Sequence, residues 1–218
     1  MRLNDIAQSD QLVRGLFDVA GKFAGPHLRQ HRSAPTPSWL SSLPASVCEL
    51  HGLLTWWHGI VPEFQGGYGI QDSLFLPPQR LGDGEMLLVQ ENQGGFCLRI
   101  QKKNGGWLAQ RIENTERRDV QSIAGYLVSF ALQEMVMSAP LWAIDEGMEN
   151  LVPRMMDDLT LIWTDTENGG YFPHGDVRFY WHKAGALVLC DERGRGDIGC
   201  HDIGLAPYFE GCGFYDVR

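Results

Sequence analysis

Positive charge is scarce in this chain: 18 Lys and Arg stand against 27 Asp and Glu, a net charge of −9. A nucleic-acid or anionic-lipid surface needs clustered Lys and Arg, so the balance argues against both as partners. An uninterrupted apolar run of bilayer length is also missing. The longest candidate, Ile123 to Ile144, carries Gln133 and Glu134 in its middle and Pro140 near its end. Spanning needs about 20 nearly continuous apolar residues. The run therefore predicts a buried helix and no membrane anchor. The opening Met1-Arg2-Leu3-Asn4-Asp5 has no apolar signal core, and the five cysteines (48, 97, 190, 200 and 212) are odd in number. Free thiols and a cytoplasmic chain are expected.

What is present fits an ordinary folded protein: 218 residues, 44% hydrophobic and 21% charged. That composition excludes disorder. A chain of this length buries roughly 70% of the surface its unfolded form exposes, enough for a core without staples. The acidity is lopsided. Residues 1–140 hold 13 acids and 12 bases, whereas 141–218 hold 14 and 6, so the last third carries −8 of the total. Such a segment is either a solubility device or a docking face for a basic partner.

Leu12, Val13, Leu16, Phe17, Ala20 and Phe23 recur at helical spacing before Gly25-Pro26 stops the run. After a polar link with Pro35 and Pro37, Pro44 suits a first helical turn, with Ser42 as cap and Val47, Leu50, Leu53, Leu54 and Trp57 on one face. Leu74-Phe75-Leu76 before Pro77-Pro78 predicts a short strand. Met86–Gln90, Phe96–Ile100 and Trp107–Ile112 predict an antiparallel meander, because Asn92-Gln93-Gly94-Gly95 and Asn104-Gly105-Gly106 supply the positive φ of tight hairpins. A helix near 119–138 follows, then a short helix over Met148–Asp158. Leu159–Trp163, Val177–Trp181 and Ala186–Cys190 predict strands. The element order gives three parts: an N-terminal helix and linker (1–35), an α+β core (36–140) and an acidic β-rich extension (141–218). With no long polar linker near 140, the extension is expected to continue the core.

The chemistry-bearing motifs are weak. Cys190, Cys200, His201 and Cys212, with His174 and His182 nearby, lack the close ligand pairs of a zinc site, so no metal or other cofactor is expected. Cys48 and His51 could share a helix face as nucleophile and base, but Val47, Leu50 and Leu54 make that helix a core element. His58 beside Trp56-Trp57 reads as a helix-end histidine. Asp145-Glu146 and Asp157-Asp158 are adjacent pairs, which do not share a helix face as a paired-carboxylate centre would require. Gly194-Arg195-Gly196 lacks a nucleotide-binding fingerprint. Asp197-Ile198-Gly199 and Asp202-Ile203-Gly204, around Cys200-His201, predict a polar loop with turn glycines.

Leu43-Pro44 opening a helix with Leu50 and Leu54, a Gly-rich loop, Leu74-Phe75-Leu76-Pro77-Pro78 before Leu81, the Val89–Ile100 hairpin with Gly94-Gly95-Phe96, and an apolar Val120–Met137 segment containing Ser129-Phe130 together resemble the SUKH superfamily. The resemblance covers roughly residues 36–138. It implies an α+β domain with a twisted, mostly antiparallel sheet flanked by helices. Family members include bacterial immunity proteins that neutralise toxins, nuclease toxins among them, and regulatory or scaffold proteins such as the cell-wall assembly regulator-like domains. The N-terminal helix and the acidic extension depart from the minimal pattern.

An inhibitor needs no catalytic constellation, and an acidic one gains association rate against a basic toxin domain. The expectation is therefore a non-enzymatic immunity protein. Asp145, Glu146, Glu149, Asp157, Asp158, Asp165 and Glu167 would form the charged part of its partner-binding surface, with Trp142 and Trp163 as aromatic anchors. The alternative is a regulatory or scaffold module on the same fold, and a third class is a hydrolase using the Cys and His residues.

Overall fold

The computed structural model describes residues 2–3, 9–24, 37–56, 63–64, 67–68, 72–146, 156–166, 171–172, 176–192, 195–209 and 214–217. The fold is α+β, built from helices and two antiparallel sheets.

Helix α1 (Ser9–Ala24) forms where the sequence spacing places it. Its stripe of Leu12, Val13, Leu16, Val19, Ala20 and Phe23 is buried, and Asp18 and Lys22 stay exposed. Helix α2 (Ala45–Trp56) opens just after Pro44, whose carbonyl accepts the Cys48 N–H at 3.2 Å. Ser42 is not its cap. The Ser42 hydroxyl instead donates to the Trp39 carbonyl at 2.7 Å, within the 3-10 turn Ser38–Ser42. Helix α3 (Ile123–Ser138) starts four residues later than expected, at Ser122, whose hydroxyl accepts the Gly125 N–H at 3.0 Å. Nearly every residue from Ala124 to Val136 is buried. A helix apolar on all sides must be enclosed by protein, and this one lies in the core between the sheets.

The first sheet is a meander of β1 (Glu63–Phe64), β2 (Gly67–Tyr68), β3 (Asp72–Arg80), β4 (Glu85–Glu91), β5 (Phe96–Lys103), β6 (Gly106–Glu113) and β7 (Glu116–Asp119), in that spatial order. Asn104 at φ 51° and Gly105 at φ 79° make the two-residue turn that their sequence announced. Strand β3 runs through Pro77-Pro78. Two residues without an N–H cannot extend the ladder, so pairing with β4 breaks between Leu74 and Gln79.

The second sheet has the order β13-β8-β12-β11-β10-β9. It comprises β8 (Leu141–Glu146), β9 (Leu159–Asp165), β10 (Val177–His182), β11 (Ala186–Cys190), β12 (Arg195–Cys200) and β13 (Phe214–Val217). Strand β12 corrects the expected polar loop: Asp197-Ile198-Gly199 pairs with both Leu187–Leu189 and Trp142–Ile144. The expected helix over Met148–Asp158 is described only as a 3-10 turn at Met156–Asp158; the rest lies outside the described residues.

Both faces of this sheet are covered, which is why β11 is buried at every position. Leu187 and Leu189 join the main core, which also holds Leu74, Leu88, Leu98 and Ile100 of the first sheet, the α1 stripe and most of α3. Ala186, Val188 and Cys190 point to the other face and pack with Leu141, Ala143, Ile198, Cys200 and Phe209. One apolar cluster therefore links the two sheets through α3. No described helix is long and apolar enough to cross a membrane.

Candidate functional site

Strand register gathers acids at one end of the second sheet. Glu146 is opposite Arg195 and Asp145 opposite Gly196, Cys190 is opposite both Gly196 and Arg178, and Val177 is opposite Asp165. The residues flanking those positions are Asp191-Glu192 after β11 and Asp176 before β10. Along this end the backbone places Asp145, Glu146, Asp191, Glu192 and Asp176, with only Arg195 and Arg178 as described bases. Part of this charge is structural. Glu192 Oε1 accepts the Asp176 N–H at 2.7 Å, and Asp191 Oδ1 accepts the Arg195 N–H at 2.9 Å. By sequence, five acids against two described bases make this end of the sheet, the rim, acidic.

A buried polar cluster forms around Tyr171 and Phe172, which lie in sequence between β9 and β10. Tyr171 is only 1% exposed although it belongs to no helix or strand. Its ring meets Phe96, Tyr126, Phe130 and Phe172 edge-on. Its hydroxyl donates to Asp72 Oδ2 at 2.5 Å, and its carbonyl accepts from Arg111 Nη1. Asp165 Oδ2 accepts the Phe172 N–H at 3.0 Å. Glu134 Oε1 accepts the Asp72 N–H at 2.9 Å, tying α3 to β3. The Arg111 guanidinium stacks 3.9 Å from the Phe96 ring centre and reaches Glu113 Oε2 at 3.3 Å. Burial pushes the Asp165 carboxyl up to about 6, against the opposing pull of its hydrogen bonds from Phe172 and Ser129. Asp72 is raised as well, again chiefly by burial, with its Tyr171 hydrogen bond opposing. The cluster ties Tyr171 and Phe172 to β3, β6 and β9.

The structure does not bring the sequence-predicted acids together. Asp145 and Glu146 are placed at the rim by the backbone of β8. Asp157 and Asp158 sit at the opposite end of the sheet, where Asp158 Oδ1 pairs with Lys183 Nζ at 2.6 Å and Oδ2 lies 3.8 Å from His182 Nε2. Asp165 and Trp163 are corrections, being 1% and 8% exposed. The Trp163 indole N–H donates to Ser129 Oγ at 2.8 Å, so the ring anchors β9 to α3 rather than facing a partner. Trp142 is half-buried and packs against the core. Glu149 and Glu167, with His58, His174 and Cys212, lie outside the described residues. Asp176, Asp191 and Glu192 were missed, although Asp176 and Asp191 directly flank strands that the sequence did indicate and Glu192 follows Asp191.

The cysteines and histidines remain apart. Cys48 Sγ points at the Leu40 carbonyl, 3.0 Å away, while the His51 ring meets Trp39 edge-on. Cys190 is opposite Gly196 and Cys200 opposite Ala186, so the two thiols stand several residues apart on neighbouring strands. Among the described residues no three His, Cys, Asp or Glu side chains converge as a metal site would require. Cys200 is fully buried, and burial pushes its thiol up to about 12. Because the thiolate is the reactive species, Cys200 is expected to resist iodoacetamide at neutral pH until the protein unfolds. Mass-spectrometric mapping of a timed alkylation checks this, and fast native labelling of Cys200 would revive thiol chemistry here.

Comparison of the chain with protein-family models, with curated proteins and with solved structures returns no match.

Proposed function

We propose that this chain is a cytoplasmic immunity protein that binds and neutralises a cognate bacterial toxin through protein–protein contact, the toxin carrying a basic domain. The reading rests chiefly on the acidic end of the second sheet, where the backbone places five acids and, among the described residues, two bases. Surface charge of one sign speeds and orients the approach of an oppositely charged protein. The SUKH-like order of elements over residues 36–138 points the same way. Neutralisation by contact asks nothing more of the chain than this surface.

The test is functional. The tagged chain is used to capture proteins from its native lysate at low salt, and the captured toxin domain is then expressed with and without this chain. Lifted toxicity, with binding that weakens as salt rises, is the expected result. Replacing Asp145, Glu146, Asp176 and Glu192 together by Asn or Gln should slow association by roughly tenfold or more at low salt, with dissociation much less affected. Persistent killing in the co-expressing cells, or capture of housekeeping proteins alone, would overturn the reading in favour of the regulatory module.

A further inference from the structure

The turn between β10 and β11 is fastened by a titratable side chain. The Gly185 N–H donates to the His182 carbonyl at 2.9 Å, and Gly185 at φ 93° lets the chain reverse there. Within that turn the Ala184 N–H donates to His182 Nδ1 at 3.1 Å. A side chain that accepts the N–H two residues ahead is what Asn and Asp supply in Asx turns. His182 does the same with a ring nitrogen. Unlike the Asn amide, an imidazole takes up a proton near neutral pH.

The contacts fix the state of the ring. Because Nδ1 accepts, the neutral imidazole carries its proton on Nε2, and Nε2 lies 3.8 Å from Asp158 Oδ2. Asp158 is tied to the same turn twice more: its Oδ1 pairs with Lys183 Nζ at 2.6 Å, and its carbonyl accepts the Lys183 N–H at 3.1 Å. His182 is only 6% exposed. Strand alternation sets it on the face opposite Trp181, which packs against the main core. Its partner in register on β9 is Leu159, and the titratable side chains packed on its own face are Tyr180 of β10, Cys190 of β11 and Cys200 of β12. The charged groups acting on the ring are Asp158 and Lys183. Burial holds the imidazole below its ordinary value of 6.5, with Asp158 opposing that shift and Lys183 reinforcing it.

A proton reaching this ring binds at Nδ1, the nitrogen that has a lone pair to offer. The imidazolium then presents an N–H at both nitrogens, and Nδ1 no longer accepts from Ala184. We propose that His182 is a proton-operated clasp on the β10–β11 turn: the neutral ring fastens the Ala184 amide, and protonation at Nδ1 releases it, leaving the Gly185 bond alone to close the turn while Asp158 holds the imidazolium. Two N–H groups facing each other drive the release, and the Asp158 carboxylate gives the new charge a partner. The folded state binds this proton less readily than the unfolded chain does. The stability that the clasp contributes is therefore complete above about pH 6.5 and is lost as pH falls below it. The clasp lies at the end of the sheet opposite the acidic rim and does not depend on the toxin reading.

The test is an NMR titration of the isotope-labelled full chain at low salt, from about pH 8 to about pH 5, across the range in which histidine titrates. The His182 ring nitrogens and the Ala184 amide should titrate together, at a midpoint below 6.5. Exchange of the Ala184 amide, corrected for its intrinsic pH dependence, should speed up by roughly fivefold on protonation, the loss of one hydrogen bond. The Lys183 and Gly185 amides donate to backbone carbonyls and should keep their protection. His182→Asn puts an oxygen where Nδ1 sits and takes up no proton, so its Ala184 amide should stay protected at every pH. Asp158→Asn should move the wild-type midpoint down and Lys183→Met should move it up, since one charge favours the imidazolium and the other opposes it. The wild-type titration stands by itself if His182→Asn fails to fold. A ring that protonates while the Ala184 amide stays unchanged would overturn the proposal. So would a neutral ring with its proton on Nδ1, equal loss of protection at Lys183, Ala184 and Gly185, or the same pH-dependent release in His182→Asn.

Discussion

Gly199→Ala is expected to destabilise the protein by about 3 kcal/mol, at the upper end of typical overpacking costs. Gly199 is the next-to-last residue of β12, where the strand packs closely against the C-terminal end of α3. A Cβ there would sit 2.5 Å from the Val136 carbonyl oxygen, 2.8 Å from Val136 Cα and 3.0 Å from Ala139 Cβ. Two of those atoms are backbone, so no rotamer change relieves the clash. Either α3 or β12 must move, and both are packed on their other sides. Gly199 is not in a positive-φ conformation, so steric approach is the whole reason for glycine at this position. Gly52→Ala is the matched control. Gly52 is exposed on α2, and a Cβ added there would meet nothing within 4 Å. Alanine there should stabilise by about 0.5–1 kcal/mol through helix propensity. Urea unfolding of the two variants should give midpoint shifts of opposite sign. A neutral Gly199→Ala would mean that α3 and β12 are not in contact.

Legibility in the sequence followed how local each cause was. The meander β4–β6 was readable because turn chemistry at Asn104-Gly105 sits between strands of the right length. The α1 stripe was readable because its partners lie on one face. Strand β12 was not, since Asp197-Ile198-Gly199 reads as turn punctuation. Its glycine serves a helix some sixty residues away in sequence, and only the fold brings Val136 to it. Strands β8 and β13 were missed for a related reason: β8 directly follows the apolar helix and shares its composition. The candidate site was half legible. Counting charge located the acidic third, but charge alone cannot say that Asp165 faces inward while Asp176 and Asp191 flank the rim. Strand alternation and the bulge at Ile162 decide that, and neither is visible in the acid count. Tyr171 gave no signal. A buried tyrosine outside regular structure is fixed by Asp72 and Arg111, 99 and 60 residues away.

That buried cluster leads to the second large effect, which is a matter of charge balance. Asp72, Glu134 and Asp165 are 3%, 0% and 1% exposed, and among the described residues the buried guanidinium beside them belongs to Arg111, 4% exposed. Removing that cation should be costly. Arg111→Met is expected to lose about 3–5 kcal/mol, because the carboxylates it faces stay buried without it. The Tyr171 carbonyl would lose its donor as well. Asp165→Asn should act in the opposite direction at neutral pH. Its carboxyl titrates at about 6 in the folded protein against an ordinary value of 3.8. The folded state therefore holds this proton more tightly than the unfolded chain does. The associated stability is full below about 3.8, is lost as pH rises from there through about 6, and stays lost above. At about 1.4 kcal/mol per unit, the ionised carboxylate costs roughly 3 kcal/mol at pH 7. Asparagine carries no such charge and can still accept the Phe172 N–H, so the variant should be the more stable protein at pH 7. The advantage should disappear by about pH 4. Asp72 and Asp197, raised by burial, add slopes of the same sign, while His51 and His182, lowered by burial, oppose them as pH falls through the ordinary histidine value of 6.5. The comparison must therefore be the difference between wild type and Asp165→Asn across pH 4 to 7, measured by urea unfolding, in which those shared slopes cancel. A difference that does not change with pH would show that Asp165 is ionised throughout and stabilised by Arg111. Loss of stability in Asp165→Asn at pH 7 would show that the carboxylate, rather than the acid, holds the Tyr171–Phe172 segment in place.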